Sequence, residues 1–271
     1  MDTTFLKDSG DLSALLGVAD VDDLNALVDY ITDNGAGRVA LAKEVRERFV
    51  ACKSARNYPS ADRGAIASEI TLFGGNSIAN MFRGGKGVSY TELAGDVGTH
   101  LKAVYAKGAD AATIEEAILS KLYNDAINEM TPEQRLHFTS SWNGFDVSPT
   151  SAYGMSVVVA YVMASMLLGR GLPVAMGIIA SRGPGLFLGP FGVAFSSIWS
   201  IAELTGAAYR VTVPCVVQIA YIRQKAMRRM QQCQCSKCAK INVADAKFCS
   251  ECGNPMPQKA APSTSLVASI L

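Results

Sequence analysis

The segment Cys235 to Cys252, CSKCAKINVADAKFCSEC, constrains this chain more than any other, because its chemistry follows from spacing. Cys235 and Cys238 form one Cys-x-x-Cys turn, Cys249 and Cys252 form a second, and ten residues lie between them. Four thiolates so placed close a tetrahedral shell around Zn²⁺: each turn directs two sulfurs inward, and the intervening ribbon brings the turns face to face. The competing arrangements are disulfide-linked hairpins or four unrelated thiols. With all four positions filled by protein the ion is expected to be structural, since catalytic zinc keeps a position open for water. Cys233, in Cys-Gln-Cys, lacks the two-residue spacer and reads as a spare thiol.

Together with Phe248, Gly253, Asn254 and Pro255, the segment resembles the short zinc ribbons appended to many bacterial proteins. The expected organisation is a helical domain over 1–230, a metal-dependent ribbon over 231–256, and a disordered tail over 257–271 rich in Ala, Ser and Pro. Zinc thiolates persist where thiols are kept reduced, and Cys52 and Cys215 sit in apolar or helical contexts without an evident disulfide partner. A cytoplasmic protein is therefore expected. The first residues, MDTTFLKDSGDL, carry acids where a secretory leader needs bases. A net charge of +1 over 271 residues provides no global field that would name a partner.

The remaining chain reads as mainly α. Leu12, Leu15 and Leu16, then Leu24, Leu27, Val28 and Ile31, recur at helical spacing, and Asn34-Gly35 ends the second run. A charged run over Val39 to Val50 reads as a solvated helix, and Pro59-Ser60 opens another that lasts to Phe73. Ser89 with Glu92 predicts a capped helix to about Ala106; Thr113 with Glu116 and Thr131 with Gln134 predict two more caps, the last with Pro132 at the first helical position.

The block LFGGNSIANMFRGGKGVSYTELAGDVGTHLK, Leu72 to Lys102, holds two glycine turns around Lys86. Such turns either cradle phosphate through backbone N–H groups or permit close helix crossings where only glycine fits. Phe73, Gly74, Gly75, Ser77, Ile78, Ala79, Asn80, Arg83, Gly84, Tyr90, Asp96, Val97, Leu101 and Lys102, with a second block from Gly206 to Pro214 and Gln218-Ile219-Ala220, resemble the YaaW-like family of bacterial proteins over roughly residues 10 to 225. The resemblance implies a helical fold more than a reaction.

Candidate site residues are Arg83, Tyr90, Asp96, His100, Lys102 and Arg210. Glu92, Asp96 and His100 recur every four residues along one helical face, where a carboxylate can orient an imidazole as a general base; a solvated polar stripe is the plainer account. His137 reads as a surface residue. Arg210 stands among valines, so burial predicts a carboxylate or anionic partner, with Asp96 the candidate.

Residues 147–222 are the apolar heart. Val147 to Gly169 and Gly183 to Ala202 carry no charge, approaching the length of a membrane span. The prolines, glycines and serines of the second run favour buried or intersubunit helices instead. The basic end Arg223, Lys225, Arg228 and Arg229 either contacts phosphate or solvates a helix end.

The overall plan resembles the ring-activated zinc-finger RNases of antiphage defence. That resemblance implies an oligomeric ribonuclease with RNA as substrate, a phage protein assembly as trigger, and the ribbon as recognition module. The alternatives are a non-enzymatic oligomeric or inner-membrane-associated adaptor, and a pore-forming toxin built on residues 155–202.

Overall fold

The computed structural model describes residue 6 and residues 11–38, 41–74, 87–143, 147–169, 189–201, 208–244 and 246–256, with side chains except at 74 and 197–201. Residues 75–86 of the Gly-rich block, with Arg83 among them, and the tail 257–271 lie outside these residues. The fold is mainly helical with a small two-stranded ribbon, as the sequence leads one to expect. Its helices are α1 (Leu12–Gly17), α2 (Val21–Thr32), α3 (Lys43–Ala55), α4 (Ser60–Gly74), α5 (Tyr90–His100), α6 (Ala111–Glu129), α7 (Pro132–Ser140), α8 (Ala152–Leu168), α9 (Pro190–Ile201) and α10 (Tyr209–Met230). Strands β1 (Gln232–Gln234) and β2 (Ile241–Val243) follow. The chain divides into two compact units, 1–224 and 225–271.

In the first unit, α1 packs on α4 and α2 on α3. Arg63 fastens α1 to α4 by donating from Nη1 to the carbonyls of Leu16 at 2.6 Å and Ala19 at 3.0 Å, which satisfies backbone acceptors that a helix end leaves open. Asp33, Asn34 and Gly35 all adopt positive φ and stop α2 where the sequence places its end. Lys53 pairs with the buried Asp29 of α2.

Helix α6 is the central element, contacting α5, α8 and α9. Its Ala111, Ile114, Ile118, Leu119, Leu122, Tyr123 and Ala126 are buried at helical spacing. Its cap is Asp110, whose carboxylate accepts from Thr113 N–H at 2.7 Å, not Thr113 as the sequence suggests. Thr131 and Gln134 do form the expected reciprocal box on α7.

Helix α8 explains the uncharged run. Ser156 to Ala164 are all buried, so this helix has no polar face because it has no solvent face. Gly154 is required at its start: a Cβ there collides with the carbonyl oxygen of Ser148. Among the described residues no helix is long and apolar enough to cross a membrane.

The second unit contains the end of α10 and the ribbon. The strands pair antiparallel, Gln232 with Val243 and Gln234 with Ile241. Asn242 points inward, while Ile241 and Val243 point outward and are exposed, as is Phe248.

Candidate functional sites: a four-cysteine centre and a stacked histidine

Cys235, Cys238, Cys249 and Cys252 converge so that their sulfurs all lie within 4.8 Å of one another. Sulfurs of Cys235 and Cys252 are 3.6 Å apart, and those of Cys238 and Cys249 are 3.5 Å apart. Tetrahedral zinc with bonds of about 2.3 Å needs sulfurs roughly 3.8 Å apart, so these two pairs are already close to that separation and the four-cysteine group could hold such an ion.

The two turns are copies offset by fourteen positions. Cys235 N–H donates to Lys240 O at 2.9 Å, as Cys249 N–H donates to Asn254 O at 2.8 Å. Lys237 N–H and Glu251 N–H each donate to the first sulfur of their turn at 3.4 Å. Ala239 and Gly253 close each turn with positive φ. Backbone N–H groups of Cys252 and Glu251 lower the Cys249 thiol to about 6, and those of Cys238 and Lys237 lower Cys235, favouring thiolate at the first position of each turn; Cys238 moves up to about 12, because the backbone N–H of Lys240 lowers it less than the neighbouring thiols and burial together raise it. Asn242 adds a third brace, its Nδ2 3.6 Å from Cys249 Sγ while its Oδ1 accepts from Ser250 N–H at 2.9 Å. Cys233 stays outside the group; its thiol donates to Val243 O at 3.1 Å.

In the first unit, the C-terminus of α5 meets the N-terminus of α10. The rings of His100 and Tyr209 stack with centroids 3.8 Å apart and planes 10° from parallel. The sequence of α5 prepares this meeting. Gly95 and Gly98 bare one face of the helix, and the Tyr105 ring returns to cover it, its hydroxyl donating to Gly95 O at 2.9 Å. A Cβ at Gly98 would lie 2.7 Å from that ring. The helix stops at His100, six residues short of the expected Ala106, in a left-handed turn at Lys102 with φ 57°. Ala103 N–H donates to Gly98 O at 2.8 Å and Lys102 N–H to Thr99 O at 3.1 Å, the paired bonds of a Schellman ending whose glycine position is held by lysine.

The candidates from the sequence therefore separate. His100 and Tyr209 are partly exposed, and Asp96, Lys102 and Arg210 are exposed on or beside the same two helix ends. Because Arg210 is exposed, the expectation that burial would force it onto Asp96 is corrected: water solvates the guanidinium there. Tyr90 is corrected as well. It is 1% exposed, and its hydroxyl donates to Glu115 Oε1 at 2.7 Å, so it serves the core and offers nothing to a substrate. Burial drives its hydroxyl pKa well above the ordinary value.

That contact leads to a pair the sequence reading missed. Arg223 donates to Glu115 through Nε at 2.6 Å and Nη2 at 3.0 Å, and through Nη1 to Leu6 O at 3.1 Å. Burial raises the Glu115 carboxyl, and the Arg223 charge offsets part of the effect. The available signal was register: Glu115 occupies an apolar position of α6, between Ile114 and Ile118. At Gly87 a Cβ would sit 2.7 Å from the Thr71 carbonyl carbon, a close approach to α4, while Gly75, Gly84 and Gly85 of the two glycine turns lie outside the described residues. His137 is exposed, as expected.

A UPF0174 protein of Helicobacter pylori strain J99 is 31% identical over 182 residues, which cover 59% of this chain and 87% of that protein. The chain belongs to the UPF0174 family. A second UPF0174 protein of that strain is 30% identical over 181 residues, 71% of its length. The UPF0174 protein YaaW of Escherichia coli K12 is 29% identical over 238 residues, 83% of this chain and 97% of that protein. No family model and no solved structure matches this UPF0174 chain.

Proposed function

We propose that this UPF0174 protein is a cytoplasmic antiphage ribonuclease that oligomerises on recognising a phage protein assembly, with a zinc-loaded ribbon as recognition module. The observation that carries the reading is the contact of His100 with Tyr209, which joins the two sequence blocks at one partly exposed surface with Lys102 and Arg210 beside it. An imidazole and two cations suffice for attack by an RNA 2′-hydroxyl. His100 takes the 2′-hydroxyl proton, the 2′-oxygen bonds to phosphorus, and the bond to the 5′-oxygen breaks as that oxygen takes up a proton, which the imidazolium returns directly or through water. Lys102 and Arg210 stabilise the charge on the phosphorane oxygens. The products are a 2′,3′-cyclic phosphate and a 5′-hydroxyl end. Asp96 lies one turn before His100 on α5 and adds a carboxylate to the same exposed helix end.

Zinc is the ion best suited to four thiolates with this sulfur spacing, and its part is to hold the ribbon folded. The test is cleavage of total RNA by the purified zinc-loaded protein, alone and with lysate from phage-infected cells, beside His100→Ala and Lys102→Ala variants. Cleavage that depends on both residues supports the reading. Absence of cleavage under every condition overturns it.

A second reading draws on Ile241, Val243 and Phe248, which are 54%, 63% and 63% exposed on the ribbon. An apolar surface of this kind on so small a module suits a non-enzymatic adaptor that docks a protein. Retention of the biological effect in a His100→Ala, Lys102→Ala double variant would select it.

A further inference from the structure

The geometry points to the His100–Tyr209 pair as a stacking platform for one unpaired nucleobase, with Lys102 and Arg210 holding the phosphates on either side. Its ligand is single-stranded RNA, a class that rests on the ribonuclease reading; the stacking itself does not.

The arrangement of the rings differs from that of the interior aromatics. Tyr123 meets Phe138 at 53° and Phe191 at 40°, with centroids at 6.3 and 5.6 Å, as aromatic pairs in a core prefer. Even the more parallel Phe138–Phe191 pair keeps 5.1 Å between centroids. His100 and Tyr209, at 3.8 Å and 10°, lie face on face, and both rings are partly exposed. A flat pair of this kind presents a further flat surface, and a nucleobase is the flat ligand that continues such a stack.

Rigidity supports the assignment. Tyr105 and the Schellman bonds fix the turn that carries His100 and Lys102, so stacking requires little ordering of the protein. The position of Lys102 supports it too. Glycine would occupy the left-handed φ there without strain, and lysine accepts the strain while placing an exposed ammonium two residues from the platform. Arg210, adjacent to Tyr209, puts a second exposed cation on the other helix. With one exposed cation close in sequence to each ring, the two helix ends offer partners for the phosphates that flank a stacked base, whereas a duplex keeps its bases paired and out of reach.

The experiment uses the full zinc-loaded chain and a 2′-O-methyl RNA 12-mer carrying one 2-aminopurine, which cannot be cleaved through its 2′-oxygen. Binding is followed by 2-aminopurine fluorescence, with the same strand in a duplex as comparison. The expected result is binding with a fluorescence change for the single strand and none for the duplex. Tyr209→Phe keeps the platform, while Tyr209→Leu weakens binding by about 5- to 150-fold, the worth of one base stacked on an aromatic ring. Lys102→Ala lowers the slope of log affinity against log salt by roughly 0.7. Circular dichroism checks that each variant retains its helices. Equal affinity of wild type and Tyr209→Leu, or no fluorescence change with the single strand, overturns the platform. Binding with these signatures in a protein that cleaves no RNA leaves the platform standing and sinks the ribonuclease reading; cleavage untouched by Tyr209→Leu does the reverse.

Discussion

Arg223 and Glu115, 108 residues apart in sequence, meet through two hydrogen bonds of 2.6 and 3.0 Å in the interior of the helical unit, both side chains almost wholly buried. Tyr90 completes the same carboxylate, so α5, α6 and α10 are registered against one another at a single polar point. Removing one charge leaves the other buried without its partner. Glu115→Ala or Arg223→Met alone is expected to cost about 3–5 kcal/mol, while the double apolar replacement recovers much of that loss. Chemical denaturation of the single and double variants tests this, and additive losses would refute a tightly coupled pair.

Lys102 should act in opposite directions on stability and activity. Lys102→Gly removes the strain of a left-handed non-glycine residue and is expected to stabilise the helical unit by about 1 kcal/mol. The same change removes a cation from the proposed RNA surface. A raised melting temperature with lost RNA binding is expected. A stabilised variant with full binding would make Lys102 an incidental occupant.

Ala239 and Gly253 stand at equivalent left-handed positions of the two cysteine turns, with φ of 59° and 67°. Ala239→Gly should therefore tighten the folded ribbon and slow metal loss to a chelator, and Gly253→Ala should hasten it. Spectrophotometric competition with a zinc dye reads both rates. Extraction of the metal is expected to unfold the ribbon and leave helical circular dichroism nearly unchanged.

Asp110 links stability to acid. Hydrogen bonds from the Thr113 hydroxyl and N–H hold its carboxyl below the ordinary 3.8. Folding therefore favours the ionised form: the contribution is present above 3.8 and is lost as pH falls through the depressed folded value. Asp110→Asn keeps a capping oxygen without the titration. Its unfolding free energy should fall less steeply on acidification than that of the wild type, and parallel curves would exclude this carboxyl as a contributor.

The four cysteines, the Thr131–Gln134 box and the stop after Thr32 were legible because each depends on neighbours a few residues apart. Asp110 and Thr113 are both capping residues three positions apart, and only the turn actually adopted chooses between them. Tyr90 shows a different limit. A polar residue in a shared sequence block looks the same whether it lines a surface or holds a core, and what separates the cases here is Glu115, 25 residues away. The uncharged α8 fitted either a core or a membrane, since full enclosure by protein and immersion in lipid select the same side chains. The stack of His100 on Tyr209 joins residues distant in sequence, and no periodicity reports it.

The enclosure of α8 has a dynamic consequence. Fraying of a terminus or breathing of a surface loop leaves Ser156 to Ala164 covered, because neighbouring helices pack around the whole circumference. Their amide protons are then expected to exchange with solvent when the helical unit opens as a whole, so that the exchange rate of this stretch should follow global stability.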